Sequence, residues 1–356
     1  MPNIILGTQG LDTLLGTSAD DVVAALGGDD EIYLNGTNGS VDGGNDLARG
    51  GEGDDSIFGG SGNDQLRGDG GSDFIRGGGG DDLILGDSGN PLLATEGDDA
   101  LFGDGGNDAL YGNGGNDALN GGIGDDFLSG GLGNDALVGG SGIDTASYQN
   151  TIGSVNVNLT LGLATGPLGN DTLTGIENVI GGSFGDILTG DAADNKLFGG
   201  DGNDGLRGND GHDSLYGENG TDTLIGGLGN DTLEGGADRD NLQGGDDDDT
   251  IIGGAGNDVM RGGGGADKFT YTDIGDAGLT NATRDSVLDF EVGIDVFDLT
   301  AFNVTFGGPA TVSVASGGAP NYFIATVDAD NNGINDFNIS VTTTGGALSV
   351  ADFILV

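Results

Sequence analysis

The chain has 356 residues, a formal net charge of −50, 81 glycines and no cysteine. This composition excludes disulfides and thiolate metal sites. With nine basic residues against 59 acidic ones, it also excludes the basic face that nucleic-acid binding requires. No apolar run approaches the roughly 18 residues of a membrane-spanning helix, so no membrane span is predicted.

Residues 1–147 repeat a nine-residue unit with glycines near its start, an acidic sixth position and an apolar eighth position. An acidic, glycine-rich chain without such order would be disordered. Inserts at Leu34–Ser40 and Gly86–Leu93 interrupt the period, and we expect both to bulge from turns because loops absorb extra residues cheaply. The sixth positions are Asp12, Asp21, Asp30, Asp46, Asp55, Asp64, Asp73, Asp82, Asp99, Asp108, Asp117, Asp126, Asp135 and Asp144.

Residues 148–180 separate this array from a second one. Val155–Leu161 alternates apolar and polar residues, which predicts a half-buried strand. A single isolated unit follows at Gly166–Thr174. We interpret 148–180 as a β connector that caps the first array and starts the second, since terminal coils of repeat proteins need caps.

Residues 181–270 continue the period without interruption, and Gly226–Glu234 is a typical unit, Gly-Gly-Leu-Gly-Asn-Asp-Thr-Leu-Glu. Ten units in register identify a repeat architecture. The sixth positions of this array are Asp186, Asn195, Asp204, Asp213, Asp222, Asp231, Asp240, Asp249, Asp258 and Asp267.

The sequence of the nine-residue unit predicts the conformation of its backbone. Glycines at positions one, two and four allow positive φ and close backbone approach, so the first six residues form a turn. The last three make a short strand with the eighth side chain facing inwards. Two units form one coil, and the coils stack into two parallel sheets. The fold class predicted is therefore all-β, with two parallel β-rolls joined by a β connector.

The regularly spaced acids predict cation binding. Each coil buries only two large apolar side chains, which do not offset the conformational entropy lost by a whole coil. Carboxylates beside turn carbonyls are ligands that Ca²⁺ prefers, whereas Mg²⁺ demands stricter geometry. At roughly one ion per turn, about 20 Ca²⁺ would offset about 40 negative charges.

These units resemble the GGxGxDxUx nonapeptide of RTX (repeats-in-toxin) proteins, which general repeat catalogues describe as calcium-binding. The resemblance covers nearly the whole chain. It implies that each ion lies between successive turns, held by sixth-position Asp side chains and glycine-turn carbonyls. The most direct matches run from Asp204 to Asp258, while Asn195 departs from the pattern, as do Ala19 and Leu26 where glycine is expected.

Residues 271–356 lose the period and gain aromatic and β-branched residues. The segments Asp285–Phe290 and Gly293–Leu299 resemble the C-terminal domain of serralysin-type proteases. This resemblance implies that the all-β fold ends in a C-terminal β-sandwich-like cap. Asp285 and Asp289 are further candidate ligands. The ending, Asp352–Val356, is similar to the uncleaved signals of type I secretion substrates. Residues 1–7 lack the features of an N-terminal signal peptide, which agrees with that export route.

One segment of this C-terminal region has the spacing of an EF-hand loop. Its candidate ligands are Asp328, Asp330, Asn332 and Asp336, with Gly333 at the sixth position. The bidentate Glu expected at position 12 is replaced by Ile339. A calcium site and a solvated acidic hairpin are both compatible with this sequence.

No catalytic centre and no organic cofactor are predicted. The one histidine, His212, occupies the variable fifth position of a unit, and a zinc protease site would need at least two. The text match to G-x-S-x-G at Gly181–Gly185 falls inside a nonapeptide and lacks the strand-to-helix elbow of a hydrolase.

We therefore predict a secreted or cell-surface calcium-binding protein without enzymatic activity, which folds on extracellular calcium and serves a structural, matrix or adhesion role. One alternative is an accessory module of an extracellular epimerase, lipase or protease, and another is a self-assembling layer or filament protein. The expected partners are calcium ions and the type I secretion machinery. Cell-surface polysaccharide and the chain itself are left open as further partners.

Overall fold

A computed structural model describes residues 3–17, 21–34, 44–87, 97–273, 276, 284–302, 311–316, 321–328, 337–344, 346–349 and 352–354. The chain divides into two compact units, Met1–Ile180 and Gly181–Val356, which are taken separately below. The described residues form β-strands, numbered here β1 to β35 in chain order, and one short 3-10 helix at Thr300–Phe302. No helix in these ranges is long and apolar enough to cross a bilayer.

The first unit contains two sheets of mostly parallel strands. One sheet consists of β1 (Asn3–Leu6), β3 (Asp21–Gly27), β5 (Leu47–Glu52), β7 (Gln65–Gly70), β9 (Leu83–Asp87), β11 (Ala109–Gly114), β13 (Phe127–Leu132), β15 (Thr145–Ser147) and β19 (Asn178–Ile180). The other consists of β2 (Thr13–Leu15), β4 (Glu31–Tyr33), β6 (Ser56–Ser61), β8 (Phe74–Gly79), β10 (Ala100–Gly105), β12 (Ala118–Ile123), β14 (Ala136–Ser141) and β18 (Gly169–Thr174), with β16 (Asn156–Asn158) and β17 (Leu163–Gly166) antiparallel at its edge.

The second unit is built in the same way. One sheet consists of β21 (Lys196–Asp201), β23 (Ser214–Asn219), β25 (Thr232–Ala237), β27 (Thr250–Ala255), β29 (Lys268–Thr270), β31 (Val296–Asp298) and β35 (Phe353–Ile354). The other consists of β20 (Ile187–Thr189), β22 (Gly205–Asp210), β24 (Thr223–Leu228), β26 (Asn241–Asp246), β28 (Val259–Gly264) and β30 (Ser286–Phe290), followed by β34 (Phe337–Thr343), β33 (Tyr322–Asp328) and β32 (Thr311–Ser316).

The strand register confirms the predicted β-roll. Leu224 pairs with Leu242 and Leu233 pairs with Ile251, so paired residues are 18 positions apart and two nonapeptides make one coil. Across the first predicted insert the offset grows to 25, and across the second it grows to 26, while the neighbouring strands stay aligned. Each insert therefore lengthens one coil. Residues 35–43 and 88–96 lie outside the described residues, so the bulging of the inserts from turns stays a prediction.

The eighth positions form the core of each roll. Leu197, Leu215 and Leu233 are fully buried on one sheet, and Leu206 and Leu224 are at most 1% exposed on the other. Where the nonapeptide period ends, aromatic rings replace these aliphatic rows. Phe290 stacks on Phe297 with ring centroids 4.6 Å apart. The C-terminal strands therefore continue the core with larger side chains.

The strands are longer than the three residues that the sequence predicts. A typical strand such as β24 has six residues and runs into the first three positions of the next unit. Its second-position glycine, Gly227, has φ +135° and pairs with Gly245 of the next coil, so the ladder continues past a bend at Gly226. Positive φ occurs at positions two and four, whereas position one needs glycine for space.

The connector also differs from its prediction. Only Asn156–Asn158 of the predicted strand Val155–Leu161 is extended, and the chain then turns into the antiparallel strands β17 and β18. β18 pairs in parallel with β14 and so returns the chain to the roll. The division into roll, connector and C-terminal domain at 147, 180 and 270 stays a prediction.

Candidate metal centre

The sixth-position aspartates form columns along the edges of each roll. The backbone N–H of Asp222 donates to Oδ1 of Asp240 over 2.8 Å, and the N–H of Asp240 donates to Oδ1 of Asp258 over 2.9 Å. Each carboxylate thus accepts a hydrogen bond from the turn of the preceding coil, on the same edge of the roll. One oxygen of each carboxylate supports the stacking of coils.

Most of the predicted ligands lie in these columns. The predicted ligands whose Oδ1 accepts an N–H from the preceding coil are Asp285 of the C-terminal region and the sixth-position residues Asp30, Asp46, Asp55, Asp64, Asp73, Asp82, Asp99, Asp108, Asp117, Asp126, Asp135, Asp144, Asp204, Asp213, Asp222, Asp231, Asp240, Asp249, Asp258 and Asp267.

The second oxygen of many of these carboxylates lies buried without a hydrogen-bond donor. The side chain of Asp240 is 1% exposed, yet its Oδ2 has no partner, and the same holds for Asp258 and Asp117, which are at most 2% exposed. Buried polar atoms are normally hydrogen-bonded, and a buried carboxylate oxygen without a partner is costly. Buried carboxylate oxygens that repeat in this way point to a ligand that supplies positive charge.

The first-position glycine of each unit lies next to this oxygen. A Cβ added to Gly235 would lie 2.5 Å from Oδ2 of Asp240 and 2.5 Å from the carbonyl oxygen of Gly253 in the next coil. Both oxygens therefore face the small space beside Gly235. Gly226 and Gly244 are flanked in the same way by an Asp Oδ2 and by a glycine carbonyl of the following coil.

Burial and like charges raise the pKa of the column carboxylates. Burial, followed by the charges of Asp258 and Asp222, raises the pKa of Asp240 to about 8, although the hydrogen bond from Asp222 opposes the shift. The pKa of Asp117 is raised to about 9, again mainly by burial and then by Asp135 and Asp99. Ionised columns therefore require nearby cations at neutral pH.

These atoms fit a hard divalent cation. The donors are carboxylate and carbonyl oxygens, which Ca²⁺ accepts in flexible six- to eight-fold coordination. Within the described ranges, no group of three or more His, Cys, Asp or Glu side chains is placed to hold a metal. An ion in these columns would therefore take one or two carboxylates and complete its shell with turn carbonyls, the donor set that the RTX resemblance implies.

Some predicted ligands are placed differently. Oδ2 of Asp12 accepts the N–H and hydroxyl of Thr8 over 2.5 and 2.9 Å, and Oδ2 of Asp21 accepts the N–H of Thr17 over 2.5 Å. Oδ2 of Asp186 accepts the N–H of Gly182 over 2.7 Å. These three carboxylates close their own turns with protein donors, since each lies in the opening coil of its array.

The remaining predicted positions are Asn195, Asp289 and the four residues of the EF-hand-like loop. Asn195 occupies the column, where its N–H donates to Asp213 Oδ1 and its own Oδ1 accepts the N–H of Asp191. Asp289 lies outside the column and accepts the N–H of Gly262 over 3.1 Å. Of the EF-hand-like loop, Asp330, Asn332, Asp336 and the side chain of Asp328 lie outside the described residues.

Three acidic residues that sequence reasoning missed continue the columns. Oδ1 of Asp171 accepts the N–H of Asp135 over 3.0 Å, Oε2 of Glu177 accepts that of Asp144 over 2.8 Å, and Oδ1 of Asp295 accepts that of Asp267 over 3.1 Å. Asp171 is the sixth residue of the isolated unit Gly166–Thr174, so the period itself could have identified it. Glu177 and Asp295 follow no repeat and gave no such signal.

A second ladder runs beside the first in the opposite direction. The N–H of Asn134 donates back to Oδ1 of Asn116 over 2.9 Å, one coil earlier, through fifth-position side chains. His212 belongs to this ladder, because its Nδ1 accepts the N–H of Asn230 over 2.8 Å. The histidine is exposed, as its place in a turn predicts, and it supports coil stacking.

We expect the metal-free chain to become more ordered as the pH is lowered. The folded-state pKa values of about 6 to 9 lie above the value of about 3.9 for an unfolded Asp. Stability is therefore fully present below the unfolded pKa and is lost as pH rises through the folded values. Far-UV circular dichroism in chelator should show more β-structure at about pH 5 than at about pH 8.

Calcium should reverse this dependence, because bound carboxylates must be ionised. Calcium-saturated chain should lose, rather than gain, ordered structure and bound ions on the same acid titration. Equal acid responses with and without calcium would show that the column carboxylates are not the groups that bind it.

The sequence matches the family model described as "RTX calcium-binding nonapeptide repeat (4 copies)" over more than half of the chain. The residues matched by this family model are 6–41, 40–75, 58–93, 92–119, 111–146, 171–206, 180–215, 206–233 and 234–269. No curated protein matches the chain by sequence.

Solved structures similar to the chain include two subunits of an epimerase and a lipase. The AlgE6R3 subunit of the Azotobacter vinelandii mannuronan C5-epimerase is 22% identical, with a TM-score of 0.27 over 48% of this chain and 78% of that one. The AlgE6R2 subunit of the same enzyme is 23% identical, with a TM-score of 0.26 over 50% and 92%. Extracellular lipase LipA from Serratia marcescens is 17% identical, with a TM-score of 0.22 over 81% and 40%.

Proposed function

Because this chain belongs to the RTX calcium-binding nonapeptide repeat family, we propose that it is a secreted calcium-binding protein whose folding is driven by extracellular calcium. Extracellular calcium modules bind with dissociation constants of about 10⁻⁴–10⁻³ M. At the much lower calcium level of a cytosol the chain would remain open. Binding free energy would then become folding free energy outside the cell.

The observation that carries this proposal is the column of buried carboxylate oxygens without donors. Many of these oxygens lie beside a first-position glycine and a carbonyl oxygen of the next coil, as Oδ2 of Asp240 does beside Gly235 and Gly253. The pKa of the Asp240 carboxyl, which carries one of these oxygens, is raised to about 8. A bound Ca²⁺ supplies the missing charge and joins adjacent coils.

The biological role proposed is structural: a surface, matrix or adhesion component without catalysis. The acids of the repeats are accounted for by coil stacking and cation binding. Export by a type I secretion system, with residues 271–356 acting as a serralysin-like C-terminal domain, completes the proposal. An open, acidic chain in low calcium suits passage through a narrow channel.

Calcium counting with matched variants tests this proposal. Equilibrium dialysis of the full chain should find about 20 ions, and Asp240→Asn should remove about one or two of them. The amide keeps an oxygen that can accept the N–H of Asp222, as Oδ1 of Asp240 does, so the coil should still stack in excess calcium. Asp246→Asn removes an exposed carboxylate at the end of β26, the strand that follows Asp240, and should leave the count unchanged.

Two outcomes contradict the proposal. One is a wild-type chain that binds no calcium at millimolar concentration. The other is an equal loss of ions in Asp240→Asn and Asp246→Asn, which would indicate diffuse screening of the acidic surface rather than binding in the columns.

A further inference from the structure

The opening coil of the first roll has two free strand edges. β1 pairs only with β3, and β2 pairs only with β4, among the strands that the structure describes. The outer edges of β1 and β2 therefore present backbone groups to which another strand can add. Such edges are normally covered or blocked by charge, because they are templates for pairing.

Apolar side chains surround these two edges. Ile4 is 72% exposed, Leu6 69%, Leu11 76% and Leu15 46%. The inward side chains of this coil, Ile5 and Leu14, are only half-buried, whereas their counterparts one coil later, Val23 and Ile32, are 2% and 0% exposed. The core of the roll is open at this end.

Charge is sparse at the same end. Residues 3–17 contain one acidic residue, Asp12, in a chain that carries 59. Two copies of a chain with net charge −50 repel each other across most of their surfaces. The opening coil is a place where two copies can approach with little repulsion.

Elsewhere the chain covers parallel edges with antiparallel strands. In the first unit, β18, β17 and β16 follow β14, and β17 is antiparallel to both of its neighbours. In the second unit, β34, β33 and β32 follow β30, again with antiparallel pairing. The edges of β1 and β2 have no such cover within the described ranges.

We propose that the opening coil binds the opening coil of a second copy, forming a two-fold symmetric dimer. A two-fold axis perpendicular to the roll reverses strand direction, so the edges of β1 and β2 meet antiparallel partners. The second copy presents two edges at the same separation, which a single extended peptide does not. The dimer also continues the core rows that end at Ile5 and Leu14. It rests on the calcium-driven folding proposed above, since the edges exist only in the folded roll.

Sedimentation velocity of the full chain in calcium tests the dimer. The wild type should sediment with about twice the chain mass of 35.0 kDa. Leu6→Glu combined with Leu15→Glu places like charges across the interface, which destabilises strand pairing, and should halve the measured mass. Ile123→Glu changes a side chain that is 70% exposed but distant in the same roll, and should leave the dimer intact.

Circular dichroism and calcium counts on the same samples separate the two proposals. A wild type that is folded and calcium-loaded yet has the mass of one chain at every concentration would overturn the dimer alone. So would loss of the dimer in Ile123→Glu but not in the double variant. Absence of β-structure in calcium would instead overturn the calcium-driven folding on which the dimer depends.

Discussion

Removal of calcium by EGTA is expected to convert both rolls into an open chain. The columns bury many carboxylate oxygens without donors, and their burial is unfavourable once the compensating cation is withdrawn. The apolar rows contribute two side chains per coil and cannot hold the coils alone. Far-UV circular dichroism should lose its β signal, and small-angle scattering should show a large increase in the radius of gyration.

Calcium should restore the β signal, and two controls identify the cause. Magnesium at the same concentration should restore less, because it requires stricter octahedral geometry. Sodium chloride at matched ionic strength should restore little, since it screens exposed charges but does not coordinate buried ones. At neutral pH, a compact, β-rich chain that survives complete chelation would contradict calcium-driven folding.

The substitution Gly220→Ala is expected to destabilise the second roll by about 3 kcal/mol or more. Gly220 has φ +135°, and a Cβ on it would overlap the carbonyl oxygen of Gly202 in the preceding coil. Neither the backbone conformation nor the space admits a side chain. Urea unfolding in saturating calcium should show the loss as a lower midpoint.

Gly205→Ala is the matched control in the same roll. Gly205 lies in an extended strand, and the nearest heavy atom to its Cβ would be 3.9 Å away, the carbonyl oxygen of Asp186. We expect a change within about 1 kcal/mol. Equal unfolding midpoints for Gly220→Ala and Gly205→Ala would show that the close stacking of coils at Gly202 and Gly220 does not limit stability.

The nonapeptide period predicted the roll, its coil length and its core. The apolar eighth residue of each nine-residue unit can face inwards only if two units close one coil. Leu224 pairs with Leu242 accordingly. The column of sixth-position acids also followed from the period. A local repeat predicts these features because each coil contacts mainly its neighbours.

Contacts that depend on particular neighbours could not be predicted. The rings of Phe74 and Phe102 lie 5.4 Å apart only because the second insert fits within one coil. Thr8 closes the turn of Asp12 through a local hydrogen bond that competes with cation binding, and no spacing distinguishes that aspartate from later ones. Glu177 joins a column from outside the repeat, where no pattern exists to extrapolate.

The 18-residue offset between paired strands gives this architecture a rule for growth. Gaining or losing two adjacent units leaves every later strand in its own sheet and every later carboxylate on its own edge. A change of one unit moves all later strands to the opposite sheet and turns the remaining coils half a revolution. Recombination between nearly identical repeats can therefore lengthen or shorten such a protein in steps of a whole coil without redesigning either end.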